Sequence, residues 1–221
     1  VAVGLPVPAN AQNNQTNVNG AIFTTIVDGT KVNGNIYDAK EDVYLNGGPQ
    51  NKNDPGLVPD GNYYFQVTDP SGAVLLSTDS ILCRVVVVTG GRIVGVPSGN
   101  AGGFGDPSCY HALGTTNTTN GQTPVRLFPF NDTPNPGGEY KAWVTPVGSY
   151  SDPGHVTPGD QPPCTSNDSF GFCDSESKTD NFKVKKAGVS YITVCKFNDI
   201  DGSGVQENGE PFIPHWPITA T

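Results

Sequence analysis

The residues with the clearest chemistry lie near the end of the chain, in Asp199-Ile-Asp-Gly-Ser-Gly-Val-Gln-Glu-Asn-Gly-Glu210. Asp199, Asp201 and Ser203 hold positions 1, 3 and 5 of a twelve-residue loop, Gly204 sits at the sharp turn at 6, and Glu210 closes it at 12. A hard cation such as Ca²⁺ takes about six to eight oxygens at flexible geometry. This spacing wraps three side chains, the Val205 carbonyl and the Glu210 carboxylate around one ion, with Glu207 at position 9 reaching it through water. Asp-Gly turns rarely match all these positions, so one bound Ca²⁺ is expected here.

Sulfur and nitrogen chemistry points elsewhere. The cysteines (Cys83, Cys109, Cys164, Cys173, Cys195) form no Cys-x-x-Cys pair and have no zinc-spaced histidines nearby, so disulfides are their expected use. Clustering by loop predicts Cys83 with Cys109 and Cys164 with Cys173. Cys195 is then left free and buried, or bonded to another chain. Asn14, Asn117, Asn131 and Asn167 each head a glycosylation sequon. No nucleophile elbow, zinc-protease helix motif or phosphate-binding loop is present. His111, His155 and His215 stand apart among Pro and Gly as loop histidines, without the orienting partner a general base needs. Asp38, Glu41 and Asp42, or Asp174, Glu176 and Asp180, read as solvated loop charge rather than a glycosidase pair. The chain is therefore not expected to be an enzyme. Tyr63, Tyr64, Tyr110 and Trp143 would serve a carbohydrate-binding module as a stacking platform if exposed, or a core if buried.

The segment from Lys196 to Ile218, which contains the acidic loop and Pro211-Phe-Ile-Pro-His-Trp-Pro-Ile218, resembles the start of the SdrD B-like repeats of bacterial surface adhesins. The resemblance covers about 30 residues. Ser203 stands where that family often has Asn or Asp, His215 stands where a small turn residue is usual, and the second half of the module is missing. It implies a Ca²⁺-binding Ig-like sandwich used as a stiff extracellular spacer, with Asp199, Asp201, Ser203, Val205 and Glu210 as ligands. The part ahead of it is similar in general character to secreted bacterial Ig-like domains.

The elements that must position these groups are strands. In 221 residues there are 28 Gly, 20 Pro, 24 Val against 8 Leu, and no Met. Such a composition supplies pleated, half-buried surface and turns rather than helix interiors, so an all-β fold is expected. Twelve Lys and Arg against 21 Asp and Glu leave a net charge of −9, which excludes the basic stripe of a nucleic-acid binder. No 18-residue apolar run offers a membrane span. Strands are predicted at 21–27, 31–37, 42–45, 60–68, 73–76, 81–88, 92–96, 125–130, 139–145, 180–185 and 190–197. Asp-Gly, Asn-Gly and Pro punctuate them. The run 81–88 is the most apolar and reads as a central strand. Residues 97–121 and 148–177 read as long loops with little capacity to pack.

Three segments result. Residues 1–17 form an extended tail, 18–186 an Ig-like β-sandwich with long loops, and 187–221 a partial second sandwich of about 35 residues, below the size of a free-standing one. In the tail, Val1, Val3, Leu5 and Val7 fall on one face of an extended strand, the pattern of a segment donated to a sheet edge. Pro8-Ala-Asn-Ala11 also resembles a signal-peptidase site, and either reading implies export. The expectation is a secreted bacterial cell-surface structural protein, a stalk, adhesin or fibre subunit that polymerises head to tail. A carbohydrate-binding module with host or matrix glycans as partners is the alternative.

Overall fold

The computed structural model describes residues 18–32, 34, 36–50, 55–98, 109, 111–151, 168–185 and 196–214. The tail with Val1, Val3, Leu5, Val7 and Asn14 lies outside these residues, as do Tyr110, His155, Cys164, Asn167, Cys195 and His215. The chain divides into two compact units, Val1–Lys186 and Ala187–Thr221.

The described part of the first unit is all-β, with short 3₁₀ turns and no α-helix. A three-stranded sheet runs β1 (Ile22–Thr25), β3 (Tyr44–Gly47), β7 (Val125–Arg126). A six-stranded sheet has the order β2 (Ile36–Tyr37), β11 (Lys178–Val184), β8 (Glu139–Pro146), β4 (Gly61–Thr68), β5 (Val85–Thr89), β6 (Arg92–Gly95). A small hairpin joins β9 (Asp168–Ser169) to β10 (Phe172–Cys173). β4 and β8 form the centre, and their antiparallel register shows how alternation sorts the side chains. Phe65 lies opposite Val144 and Val67 opposite Ala142, while Gln66 lies opposite Trp143. Phe65, Val67, Ala142 and Val144, all fully buried, join the main core with Ile22, Leu45 and Val125 of the smaller sheet and with Val43 just before β3. Tyr140, Ala142 and Val144 thus share one face, as their spacing predicts.

The other face of the large sheet is covered too. Tyr64, Val85 and Trp143 form a second cluster with Ile81 of a 3₁₀ turn and Phe172 of the β9–β10 hairpin. This revises two sequence expectations. The Pro- and Ser-rich excursion does pack, because it delivers fully buried Phe172 and half-buried Tyr150 onto that face. The run 81–88 is not one central strand. Ser80 Oγ accepts from the Leu82 N–H at 3.3 Å and starts a 3₁₀ turn over 81–83, and β5 then lies next to the sheet edge. Its apolar character comes from cover on both faces: Val86 and Val88 enter the main core and Val85 enters the second. The segments at 31–37, 73–76 and 125–130 give only short ladders or single bridges.

In the second unit, Phe197 and Phe212 form a bridge. The Ile213 N–H donates to the Lys196 carbonyl (2.7 Å) and the Asn198 N–H to the Pro211 carbonyl (3.0 Å), so a narrow hairpin closes on the acidic loop.

Candidate metal centre

Asp199 opens the loop. Its Oδ1 accepts from the Gly202 N–H (2.8 Å) and its Oδ2 from the Gly204 N–H (2.9 Å). Gly202 and Gly204 have φ of 77° and 75°, which lets the backbone curl back onto that carboxylate. Asp201 Oδ1 accepts from the Ser203 N–H at 2.9 Å. The Ser203 N–H and hydroxyl hold the Asp201 carboxyl below its ordinary range, with a smaller contribution from contact with Asp199. Glu210 closes the loop: Oε1 accepts from the Ile200 N–H (2.8 Å) and Oε2 from the Glu207 N–H (3.0 Å).

One carboxylate oxygen from each of Asp199, Asp201 and Glu210 lies within 4.8 Å of the others. Glu210 is buried, while Asp201 is exposed. The ion pairs of the described residues all lie in the first unit, so none neutralises this cluster. Each carboxylate has about four lone-pair sites, and the N–H groups occupy only some of them. Three like charges held together with acceptor capacity to spare fit a hard divalent cation. Ser203 Oγ donates to the Val205 carbonyl at 3.1 Å and accepts from the Val205 N–H at 3.3 Å. Glu207 is exposed and is not one of the three converging carboxylates.

The remaining sequence-predicted sites fall as follows. Cys83 and Cys109 are bonded, with Cα atoms 5.0 Å apart, and Cys173 is also in a disulfide. Asn117 and Asn131 are exposed. Tyr63, Tyr64 and Trp143 are 0%, 6% and 3% exposed, so these three rings are core and present no stacking platform. Trp143 Nε1 donates to Thr68 Oγ1 at 2.9 Å, which satisfies the indole inside the second cluster.

His111 is not the isolated loop histidine its neighbours imply. It is buried, with Nε2 2.8 Å from Asp79 Oδ2 and Nδ1 2.7 Å from the Arg126 carbonyl. A carbonyl only accepts, so Nδ1 carries a proton. Arg84, also buried, places Nε 3.6 Å from Asp79 Oδ1. Asp79 is the partner that sequence reading missed. Its local signal is its place just before the Ser80 cap, while its pairing with His111 spans 32 residues. Asp38, Glu41 and Asp42 line a 590 Å³ cleft with Tyr37, Tyr44 and Arg126, and Asp38 is already bonded to Lys185 Nζ at 2.6 Å. Asp180 accepts from the Thr24 N–H (2.7 Å) and Oγ1 (2.9 Å), so it ties β11 to β1. Burial raises its pKa, against the pull of these bonds. Asp174 and Glu176 lie on a 3₁₀ turn, with Glu176 buried.

No helix among the described residues is long and apolar enough to cross a membrane. No protein-family model, curated protein or solved structure matches this chain.

Proposed function

We propose that the chain is a secreted structural protein of a bacterial cell surface, a stalk, adhesin or fibre subunit. In this reading an Ig-like sandwich carries an SdrD B-like unit that binds one Ca²⁺. The observation that carries the reading is the convergence of the Asp199, Asp201 and Glu210 carboxylates in a loop whose backbone N–H groups already orient them. Ca²⁺ would be held by these three, with Ser203, the Val205 carbonyl and a water on Glu207 completing the shell. The ion would supply the positive charge that the loop lacks and would fix the hairpin. Two sheets around one core, antiparallel throughout except for the short parallel pairing of β2 with β11, support the Ig-like assignment. The disulfide from Cys83 to Cys109 and the exposed sequons at Asn117 and Asn131 support export.

Assembly in this reading is by strand donation from the tail with Val1, Val3, Leu5 and Val7. β11 pairs with β2 only at Lys183 and Val184. The stretch from Lys178 to Phe182 therefore has β8 on one side and no paired strand among the described residues on the other. β1 packs beside this stretch, with the Thr24 N–H bonded to Asp180, so the accepting edge in this reading is that of the partial second sandwich, residues 187–221. Calorimetry with Ca²⁺ tests the metal part: one-site heat is expected from the full chain and none from the Asp199→Ala, Glu210→Ala double variant. A full chain that gives no heat would remove the basis of the proposal.

A further inference from the structure

Five Asn-Gly pairs occur in the chain, and four of them lie among the described residues: Asn19-Gly20, Asn46-Gly47, Asn120-Gly121 and Asn208-Gly209. Such a pair can modify itself. The glycine backbone nitrogen attacks the Asn Cγ and loses its proton as the new C–N bond forms, ammonia leaves, and a succinimide ring replaces the side-chain amide. Water then opens the ring at either carbonyl to give Asp or isoAsp. Glycine favours the attack because no Cβ crowds the approach. The reaction needs a glycine N–H that is not held elsewhere, an Asn side chain free to swing onto it, and water.

Three of the four pairs lack these conditions. Asn46 and Gly47 are buried in β3 opposite Phe23 and Ile22 of β1, and Asn46 Oδ1 accepts from the Gly47 N–H at 2.8 Å. Asn19 exchanges two backbone bonds with Val58 (3.2 and 3.1 Å), and Gly20 lies so close to Gly56 that an added Cβ would meet its carbonyl oxygen at 2.4 Å. Asn120 is held at both reacting groups. Its Oδ1 accepts from the Gln122 N–H (3.0 Å), while the Gly121 N–H donates to the Asn117 carbonyl (2.7 Å).

Asn208-Gly209 meets all of them. Both residues are exposed, and neither the Asn208 side chain nor the Gly209 N–H has a hydrogen-bond partner among the described residues. A Cβ placed on Gly209 would meet nothing within 4 Å. The pair forms the centre of a turn in which the Glu210 N–H donates to the Glu207 carbonyl (3.2 Å), with Gly209 at φ 106°.

That turn aims Glu210. The Glu207 N–H donates to Glu210 Oε2 (3.0 Å) and Gln206 Nε2 to the Glu210 carbonyl (3.0 Å). An isoAsp runs the main chain through the former side chain and adds one methylene between residues 208 and 209, inside a turn whose ends are one hydrogen bond apart. The turn opens, and Glu210 Oε1 loses its place on the Ile200 N–H. Asp at the same position adds charge but keeps the length of the main chain.

We propose that Asn208 is a self-modification site, a slow clock whose isoAsp product undoes the loop from Asp199 to Glu210. The chemistry needs no bound ion, and only its further consequence, a loss of Ca²⁺ affinity with age, rests on the function proposed above.

The full chain, aged at mildly alkaline pH and mapped by mass spectrometry after digestion in heavy-oxygen water, tests the proposal, because the label marks any change made during digestion. Asn208 should convert at the rate of a free peptide spanning residues 206–212, mostly to isoAsp. Asn19, Asn46 and Asn120 should convert at least about tenfold more slowly, since each must wait for local opening. Hydrogen exchange at the Ile200 and Glu210 amides should quicken about tenfold in the aged chain and stay at the fresh rate in Asn208→Asp, which carries the charge without the extra methylene. Asn208→Gln, whose longer side chain closes the ring reluctantly, should keep the fresh rate through the same ageing. Conversion of any of the other three ahead of Asn208, an intact Asn208 after the peptide has reacted, or unchanged exchange in the aged chain would overturn the proposal. Calorimetry of the fresh chain with Ca²⁺ tests the metal reading on its own, so the two fail independently.

Discussion

Replacing Cys83 and Cys109 by alanine separates what the disulfide does from what the folded contacts around it do. The bond closes 26 residues of chain. Loop-closure entropy for that length gives about 3.5 kcal/mol of stabilisation, almost all of it exerted on the unfolded ensemble. For a domain of this size, that lowers the melting temperature by about 7–14 °C. The folded state should survive, because His111 remains bonded to Asp79 and to the Arg126 carbonyl just past Cys109. Urea unfolding followed by tryptophan fluorescence is the assay. The variant should show a lower midpoint and a steeper slope, since an unfolded chain without the cross-link exposes more surface. Adding Asp79→Ala to the variant leaves buried Arg84 without its ion-pair partner and His111 Nε2 without its neighbour, and should cost about 3–5 kcal/mol more. A melting temperature within about 2 °C of wild type after loss of both cysteines would refute the entropic argument. Failure of the variant to fold, with Asp79 intact, would refute the claim that His111 holds the loop.

Two further outcomes bear on the seam between the sheets and on the acidic loop. Because burial raises the Asp180 pKa, the folded state binds that proton more tightly than the unfolded state. Its contribution to stability therefore grows as pH falls through its folded pKa towards the ordinary carboxylate value. Asp180→Asn, which keeps an oxygen for Thr24, should melt higher than wild type at pH 7, with the difference shrinking in acid. A lower melting temperature at pH 7 would contradict this. Chelator should lower the melting temperature of the second unit in wild type. It should leave the Asp199→Ala, Glu210→Ala variant unchanged, as scanning calorimetry with and without EDTA would show.

Local chemistry was the legible part of this chain. Alternation placed Tyr140, Ala142 and Val144 on one face, Asp-Gly and Asn-Gly marked the turns, and loop clustering paired Cys83 with Cys109. The spacing from Asp199 to Glu210 located three carboxylates that do converge, because their geometry is set within twelve residues. What escaped was decided over long range. The run 81–88 looked central because periodicity cannot distinguish a central strand from one near the edge that is covered on both faces, and the cover comes from Phe172 some 84 residues on. Tyr63, Tyr64 and Trp143 stand beside turns in sequence yet are buried by opposite layers. His111 gave no local sign of Asp79, and nothing in Ser169-Phe170-Gly171 announced a strained, exposed ring.

The most direct test of the account as a surface structural protein is negative-stain microscopy of the full chain in Ca²⁺, beside the same chain lacking residues 1–8. The account predicts elongated filaments from the full chain and small discrete particles from the truncated one, because the apolar tail supplies the strand that joins successive copies. Filaments that persist after truncation would contradict donation by that tail. Discrete particles from the full chain at every concentration would contradict the structural role itself.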